Sequence, residues 1–121
     1  MAVTVNQNFT KHKGDDIIIQ IPVDDVVSLD SFSLRWVMCP ADPEEDPNSP
    51  ILLDKSNDGQ EPEINTIDNV AFISLPSSET DNQSDISPGS YYHELHGLDA
   101  EGEGGVMASG TATFLPTRIG R

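Results

Sequence analysis

Ser31-Phe32-Ser33-Leu34-Arg35-Trp36-Val37-Met38 sets a large apolar side chain at every second position. Successive side chains of an extended chain point to opposite faces. Phe32, Leu34, Trp36 and Met38 therefore share one face, and Ser33, Arg35 and Val37 share the other. A helix needs apolar residues three or four apart and would scatter these around its circumference. The stretch reads as a strand with one buried face, and its neighbours follow the same rule.

Upstream, Val3 and Val5 alternate with polar residues, and Lys11-His12-Lys13-Gly14-Asp15 reads as a turn. Ile17, Ile19 and Ile21 line one face of the next strand. Pro22 closes it, because proline brings no N–H to a ladder. Downstream, Cys39 to Pro50 holds four prolines and four acidic residues and is expected as an exposed, self-repelling loop. Ile51-Leu52-Leu53 reads as a short strand, and Asn57-Asp58-Gly59 has hairpin-turn chemistry. Ile64 and Thr66, then Val70, Phe72 and Ser74, mark two strands on either side of Asp68-Asn69. The polar segment Pro76 to Asp85 has room for one helical turn. In Gly89 to Leu95, Tyr91, His93 and Leu95 share one face, and Tyr92, Glu94 and His96 lie opposite or follow on the other. A glycine-rich acidic turn, Asp99 to Gly105, leads into a last strand from Val106 towards Leu115, with a bulge expected at Gly110.

Seven or eight short strands joined by Gly, Pro and Asx turns predict an all-β, antiparallel sandwich in a single domain, residues 1–121. Two residues sharpen this to an immunoglobulin-like sandwich. Trp36 lies mid-strand among alternating apolar residues, where such domains bury a core tryptophan. Tyr91 opens a late strand, as the tyrosine of a tyrosine corner does. The cysteine pair of antibody domains is absent.

The chain has 121 residues, 6 basic and 21 acidic side chains and a formal net charge of -15. From Ser56 to Thr117 there is no Lys or Arg. A surface this anionic repels phosphate backbones and anionic lipid headgroups, so neither nucleic acid nor membrane is expected as a direct partner. Copies of the chain also repel unless apolar surface or the few basic residues meet. Hydrophobic content is 36%, but the apolar residues are clustered, which argues against a disordered chain. A single cysteine, Cys39, makes no internal disulfide and suits synthesis in a reducing compartment. Met1 to Asn6 lacks the basic start and apolar block of a signal peptide, and no apolar run reaches membrane-span length.

No constellation of residues points to catalysis. Asp54-Lys55-Ser56-Asn57-Asp58-Gly59 opens like a calcium loop, but Pro62 and Asn65 then occupy positions nine and twelve, where ligands belong. A turn explains the same residues without an ion. His93-Glu94-Leu95-His96 is one residue short of a zinc-protease pattern, and on a strand its histidines face opposite ways. His93 is expected half-buried beside Tyr91, and His96 exposed near Glu94. There is no Gly-x-Ser-x-Gly elbow, and Cys39 precedes a proline. No catalytic residue, metal or cofactor is expected.

The order of signals resembles a family of immunoglobulin-like sandwich proteins of tailed-phage virions, which includes stand-alone decoration or accessory proteins and the N-terminal domain of baseplate upper proteins. The residues that carry the resemblance are Lys13-Gly14-Asp15, Ser31 to Trp36, Asp68 to Leu75, Ser87 to Leu95 and Ala108 to Thr117. The resemblance implies a non-enzymatic virion component, made in the host cytoplasm, that docks on capsid or tail proteins. The expected role is a capsid decoration or cement protein, a homo-oligomer as a trimer or another small symmetric assembly at capsomer junctions. The alternatives are a tail, connector or baseplate accessory, and a calcium- or carbohydrate-binding adhesion module in which Tyr91, Tyr92 or an exposed Trp36 stacks on sugar.

A free-standing sandwich has edge strands that a neighbour can pair. Residues 1–9 and 116–121 are expected as arms that order on contact. Basic charge gathers near the two ends of the sequence, so Val3, Val5, Phe9, Lys11, Lys13, Arg118 and Arg121 are the expected protein-interaction residues. The competing reading is that these termini are simply solvated.

Overall fold

The computed structural model describes residues 5, 6, 8–12, 16–23, 28–41, 45–57, 63–76 and 86–116. Every regular element among them is a strand: β1 (Val5–Asn6), β2 (Phe9–His12), β3 (Ile17–Pro22), β4 (Ser33–Cys39), β5 (Leu53–Ser56), β6 (Ile64–Ile67), β7 (Val70–Leu75), β8 (Gly89–Leu98) and β9 (Gly104–Leu115). The larger sheet runs β1-β9-β8-β4-β5, with β2 also on β9, and the smaller runs β3-β7-β6. Three strands facing a β4–β8–β9 sheet that β5 extends is the strand order of an immunoglobulin-like β-sandwich.

Alternation decides the core. On β3, Ile17, Ile19 and Ile21 are buried while Ile18, Gln20 and Pro22 are exposed. Leu34, Trp36 and Met38 from β4 meet Ile73 and Leu75 from β7, Ile64 from β6, and Leu95, Ala112 and Phe114 from β8 and β9 in one cluster. On β7 the inward residues are Ala71, Ile73 and Leu75, so Val70, Phe72 and Ser74 form the outer row. Both rows contain large apolar residues, and the local pattern alone did not separate them.

Other differences have physical causes. β1 and β2 run parallel to β9, Val5 beside Ala108 and Phe9 beside Ala112, whereas every other pairing is antiparallel. Val5, Asn6 and Phe9 therefore lie along a sheet edge rather than in a free arm, and Lys11 and His12 belong to a strand rather than a turn. Ile51 and Leu52 precede β5, which begins at Leu53. β5 pairs with β4, and β6 pairs with β7, so the chain changes sheets after Asn57 instead of forming a hairpin there. Asn57 anchors that departure: its Oδ1 accepts the Leu34 N–H at 2.9 Å, and its Nδ2 donates to the Phe32 carbonyl at 2.8 Å. The bulge lies at Met107, not Gly110. Leu95 pairs with Ala108 but His96 with Val106, which turns Met107 and Ala108 inward together. The β6–β7 turn falls at Asp68-Asn69 as expected, with Asp68 at a φ of 51°. The helical turn expected between Pro76 and Asp85 lies outside the described residues.

Tyr91 makes the expected corner. Its hydroxyl donates to the Ser87 carbonyl at 2.6 Å, and its ring stands edge-on to Phe114 with centroids 6.0 Å apart. Tyr91→Phe keeps the ring and loses only this bond. It is expected to lower unfolding free energy by about 1 kcal/mol, measured by urea denaturation.

Candidate functional site

Residues that sequence patterns offered for ligand chemistry are occupied structurally. Trp36 is wholly buried and its Nε1–H donates to His93 Nδ1 at 3.1 Å. It presents no face to a sugar. His93 is fully buried rather than half-buried, with the Phe9 ring centroid 5.1 Å away. It stands two residues after Tyr91, the position at which antibody domains carry the second cysteine of their intersheet disulfide. On β3 the facing positions are isoleucines. An indole–imidazole hydrogen bond within an aromatic cluster thus occupies the part of the core where such domains place a covalent bridge. His96 is exposed on the opposite face.

Asp54, first in the calcium-like run, is held by Arg35. Nε donates to Oδ1 at 3.0 Å and Nη2 to Oδ2 at 2.6 Å. The guanidinium's hydrogen bonds hold the Asp54 carboxyl below its ordinary range, against a smaller opposing push from burial. Asp58 and Gly59 lie outside the described residues. Among the described residues no three His, Cys, Asp or Glu side chains gather as metal ligands do. Cys39 ends β4 as a buried residue, and burial, then the Glu94 charge, push its thiol up. A depressed carboxyl contributes stability above its unfolded value of about 3.9, and that contribution fades as pH falls through the lower folded value. Both side chains are about half exposed, so screening keeps the effect small. Asp54→Asn is expected to cost a small amount of stability at pH 7, a deficit that vanishes as pH falls well below about 4, so that the acid limb of the stability–pH curve flattens.

Lys55 was not anticipated as an inward residue. It is buried, and its Nζ meets Glu63 Oε2 at 3.0 Å across the sheet change. Its sequence neighbourhood gave no sign of this, because a lysine in a strand ordinarily faces water.

The distribution of charge is the structural feature with functional content. Among the described acidic residues only Asp54 and Glu94 lie within strands. Asp16, Asp30, Glu45, Asp46, Glu63, Asp68, Asp99, Glu101 and Glu103 occupy turns and strand flanks. The outer face of the small sheet carries Ile18, Gln20, Pro22, Asn65, Ile67, Val70, Phe72 and Ser74, without one charge. Ile18 and Ile67 are 59% and 64% exposed. Beside this face, a groove of about 260 Å³ opens between β2 and β3, lined by Asn8, Phe9, Lys11, Ile18, Ile19 and Gln20.

Two expected interaction residues, Phe9 and Lys11, line this groove. Phe9 packs partly into the core, while Lys11 is exposed. Val5 contributes backbone pairing to β9. Val3, Lys13, Arg118 and Arg121 lie outside the described residues. Ile67 and Phe72 were missed as surface residues. The strict alternation around Ile17–Pro22 places Ile18, with Asp16 and Gln20, opposite the buried isoleucines, as the structure has it.

No protein-family model matches the chain, and no curated protein matches it significantly. Among solved structures, the chain is similar to the extracellular domains of the voltage-gated sodium channel beta4 subunit, described as parallel homodimers with a role in cell–cell adhesion. The identity is 11%, the TM-score 0.44, and 97% of each chain is covered.

Proposed function

We propose that this protein is a non-enzymatic structural module that works by docking on other proteins through its sheet faces and edges. The observation that supports this reading is the absence of charge from the outer face of the small sheet in a chain whose net charge is -15. The outer face of β3, β7 and β6 carries none of the chain's 21 acidic residues. Apolar, uncharged surface on an otherwise strongly charged protein fits partner contact.

The sequence resemblance supports a role in a tailed-phage virion, with capsid decoration first and a tail or baseplate position second. The adhesion alternative loses Trp36 as a stacking residue and the first oxygen ligand of its calcium loop, because Trp36 is buried and Asp54 is held by Arg35. Particles would be separated into capsid and tail fractions and probed for the protein. Retention on capsids that Ile67→Lys weakens supports decoration through the neutral face. Protein found only in particle-free fractions would sink the virion role.

A further inference from the structure

β3 ends the small sheet, and no described strand lies along its other side. The direction of its backbone groups can be read from one bond. Val23 continues the β3–β7 register opposite Asn69, and its N–H donates to the Asn69 carbonyl at 2.8 Å. Bonded and non-bonded positions alternate along an antiparallel pair. Ile17, Ile19 and Ile21 therefore turn their backbone groups towards β7, and Ile18, Gln20 and Pro22 turn theirs outward. Pro22 agrees with this: the residue without an N–H stands where β7 needs no donor.

Exposed edges are usually blunted by charge, by a bulge or by brevity. β3 has six residues, no charged side chain and regular pairing along its whole length. The groove beside β2 leaves open space along its centre, at Ile18, Ile19 and Gln20. Its single proline is at its end and still offers a carbonyl.

We propose that β3 pairs with β3 of a second copy, antiparallel about a two-fold axis at Ile19, joining two small sheets into one of six strands. This deepens the docking function proposed above by naming the partner of one edge. In this register Ile18 and Gln20 of one copy exchange N–H···O=C bonds with Gln20 and Ile18 of the other. Charge selects the orientation. The chain before β3 carries Lys11 and Lys13 with Asp15 and Asp16, which balance, and the chain after it carries Asp24 and Asp25. Antiparallel pairing sets each acidic flank beside a balanced one, whereas parallel pairing sets acidic flank against acidic flank. Centring on Ile19 also keeps the two Asp16 carboxylates at opposite ends of the contact. The contact is isologous and closes on itself, so it yields a dimer and not a filament.

The test uses the full-length chain in about 0.15 M salt, where the Debye length of about 8 Å screens the mutual repulsion. Sedimentation equilibrium is expected to show a monomer–dimer equilibrium. Hydrogen exchange at the Ile18 and Gln20 amides is expected to slow at least tenfold as concentration rises through the transition. Ile18→Lys, on the exposed face, is expected to weaken dimerisation at least tenfold with unchanged tryptophan fluorescence. A monomer at all concentrations overturns the proposal, as does a dimer whose Ile18 and Gln20 amides exchange at the monomer rate. The exchange readout on the wild-type chain stands even if the variant folds poorly. A monomer that still binds particles removes the β3 pairing and leaves the structural role. A β3-paired dimer found in no particle does the reverse.

Discussion

Trp36→Ala is expected to remove about 3–5 kcal/mol of stability, enough to unfold much of the protein at 37 °C if its total lies near the low end of the usual range of about 5–15 kcal/mol. Trp36 is completely buried at the middle of β4, between the β5 and β8 ladders, with Lys55 and Leu95 as its cross-strand neighbours. Alanine leaves an indole-sized void among side chains that β-sheet hydrogen bonds hold in place, so little collapse can fill it. It also takes the donor away from His93 Nδ1. Trp36→Phe separates the two effects. It keeps most of the packing and loses the N–H, and is expected to cost about 1–3 kcal/mol. Guanidinium denaturation followed by far-ultraviolet circular dichroism measures both, since the fluorescent probe is itself replaced. Near-equal losses for alanine and phenylalanine would show that the hydrogen bond, and not the volume, is what the core needs here.

The sandwich was legible because its strands alternate so strictly. Ile17–Ile19–Ile21 and Leu34–Trp36–Met38 can each bury their large residues together only as a strand with that face inward, and Tyr91 declared its corner by its place at the head of β8. The strand pairings were less legible, and for a reason. Alternation says which face is buried but not which strand lies alongside. The parallel seam of β1 and β2 against β9 joins residues about a hundred positions apart in sequence, and nothing local in Val5 or Phe9 encodes it. The same limit hid the sheet change after Asn57. Asn-Asp-Gly fits a turn equally well whether the next strand returns to β4 or crosses to β7. Val70 and Phe72 looked as apolar as Ala71 and Ile73, so only the register with β3 decides that the smaller pair faces inward.

The surface was legible in total and not in pattern. Composition gave the net charge and its consequence for nucleic acid and lipid, but loops and faces cannot be told apart until strands are placed. Once they are, the described acidic residues other than Asp54 and Glu94 fall in turns and strand flanks, where they repel wrong partners. The neutral small-sheet face and the uncharged β3 edge are what remain for contact. Lys55 illustrates the converse. A charged side chain in the middle of a strand ordinarily faces water, whereas the sheet change brings Glu63 to within 3.0 Å of Lys55 and makes burial tolerable.

The core polar pair supports a second large effect. His93→Ala is expected to cost about 2–5 kcal/mol, because it opens a void bordered by Phe9 and Trp36 and leaves the indole N–H without its acceptor. An indole can only donate, so Nδ1 must accept and the imidazole of the bonded pair is not protonated there. His93→Leu refills most of the volume but still strands the N–H, at about 1–3 kcal/mol. Adding Trp36→Phe to His93→Leu removes both polar partners, and the double variant is expected to lose less than the sum of the single losses, with a coupling of about 1–2 kcal/mol. Strict additivity would mean that the 3.1 Å contact contributes nothing to folding. The consequence reaches the surface through Phe9, whose ring lies against His93 on one side and Phe114 on the other and whose backbone carries β2 along β9. Loosening His93 should therefore speed hydrogen exchange at Phe9 to His12, beside the groove, before it affects β6 and β7. The wall of the docking groove is thus held by the pair that occupies the place of a disulfide.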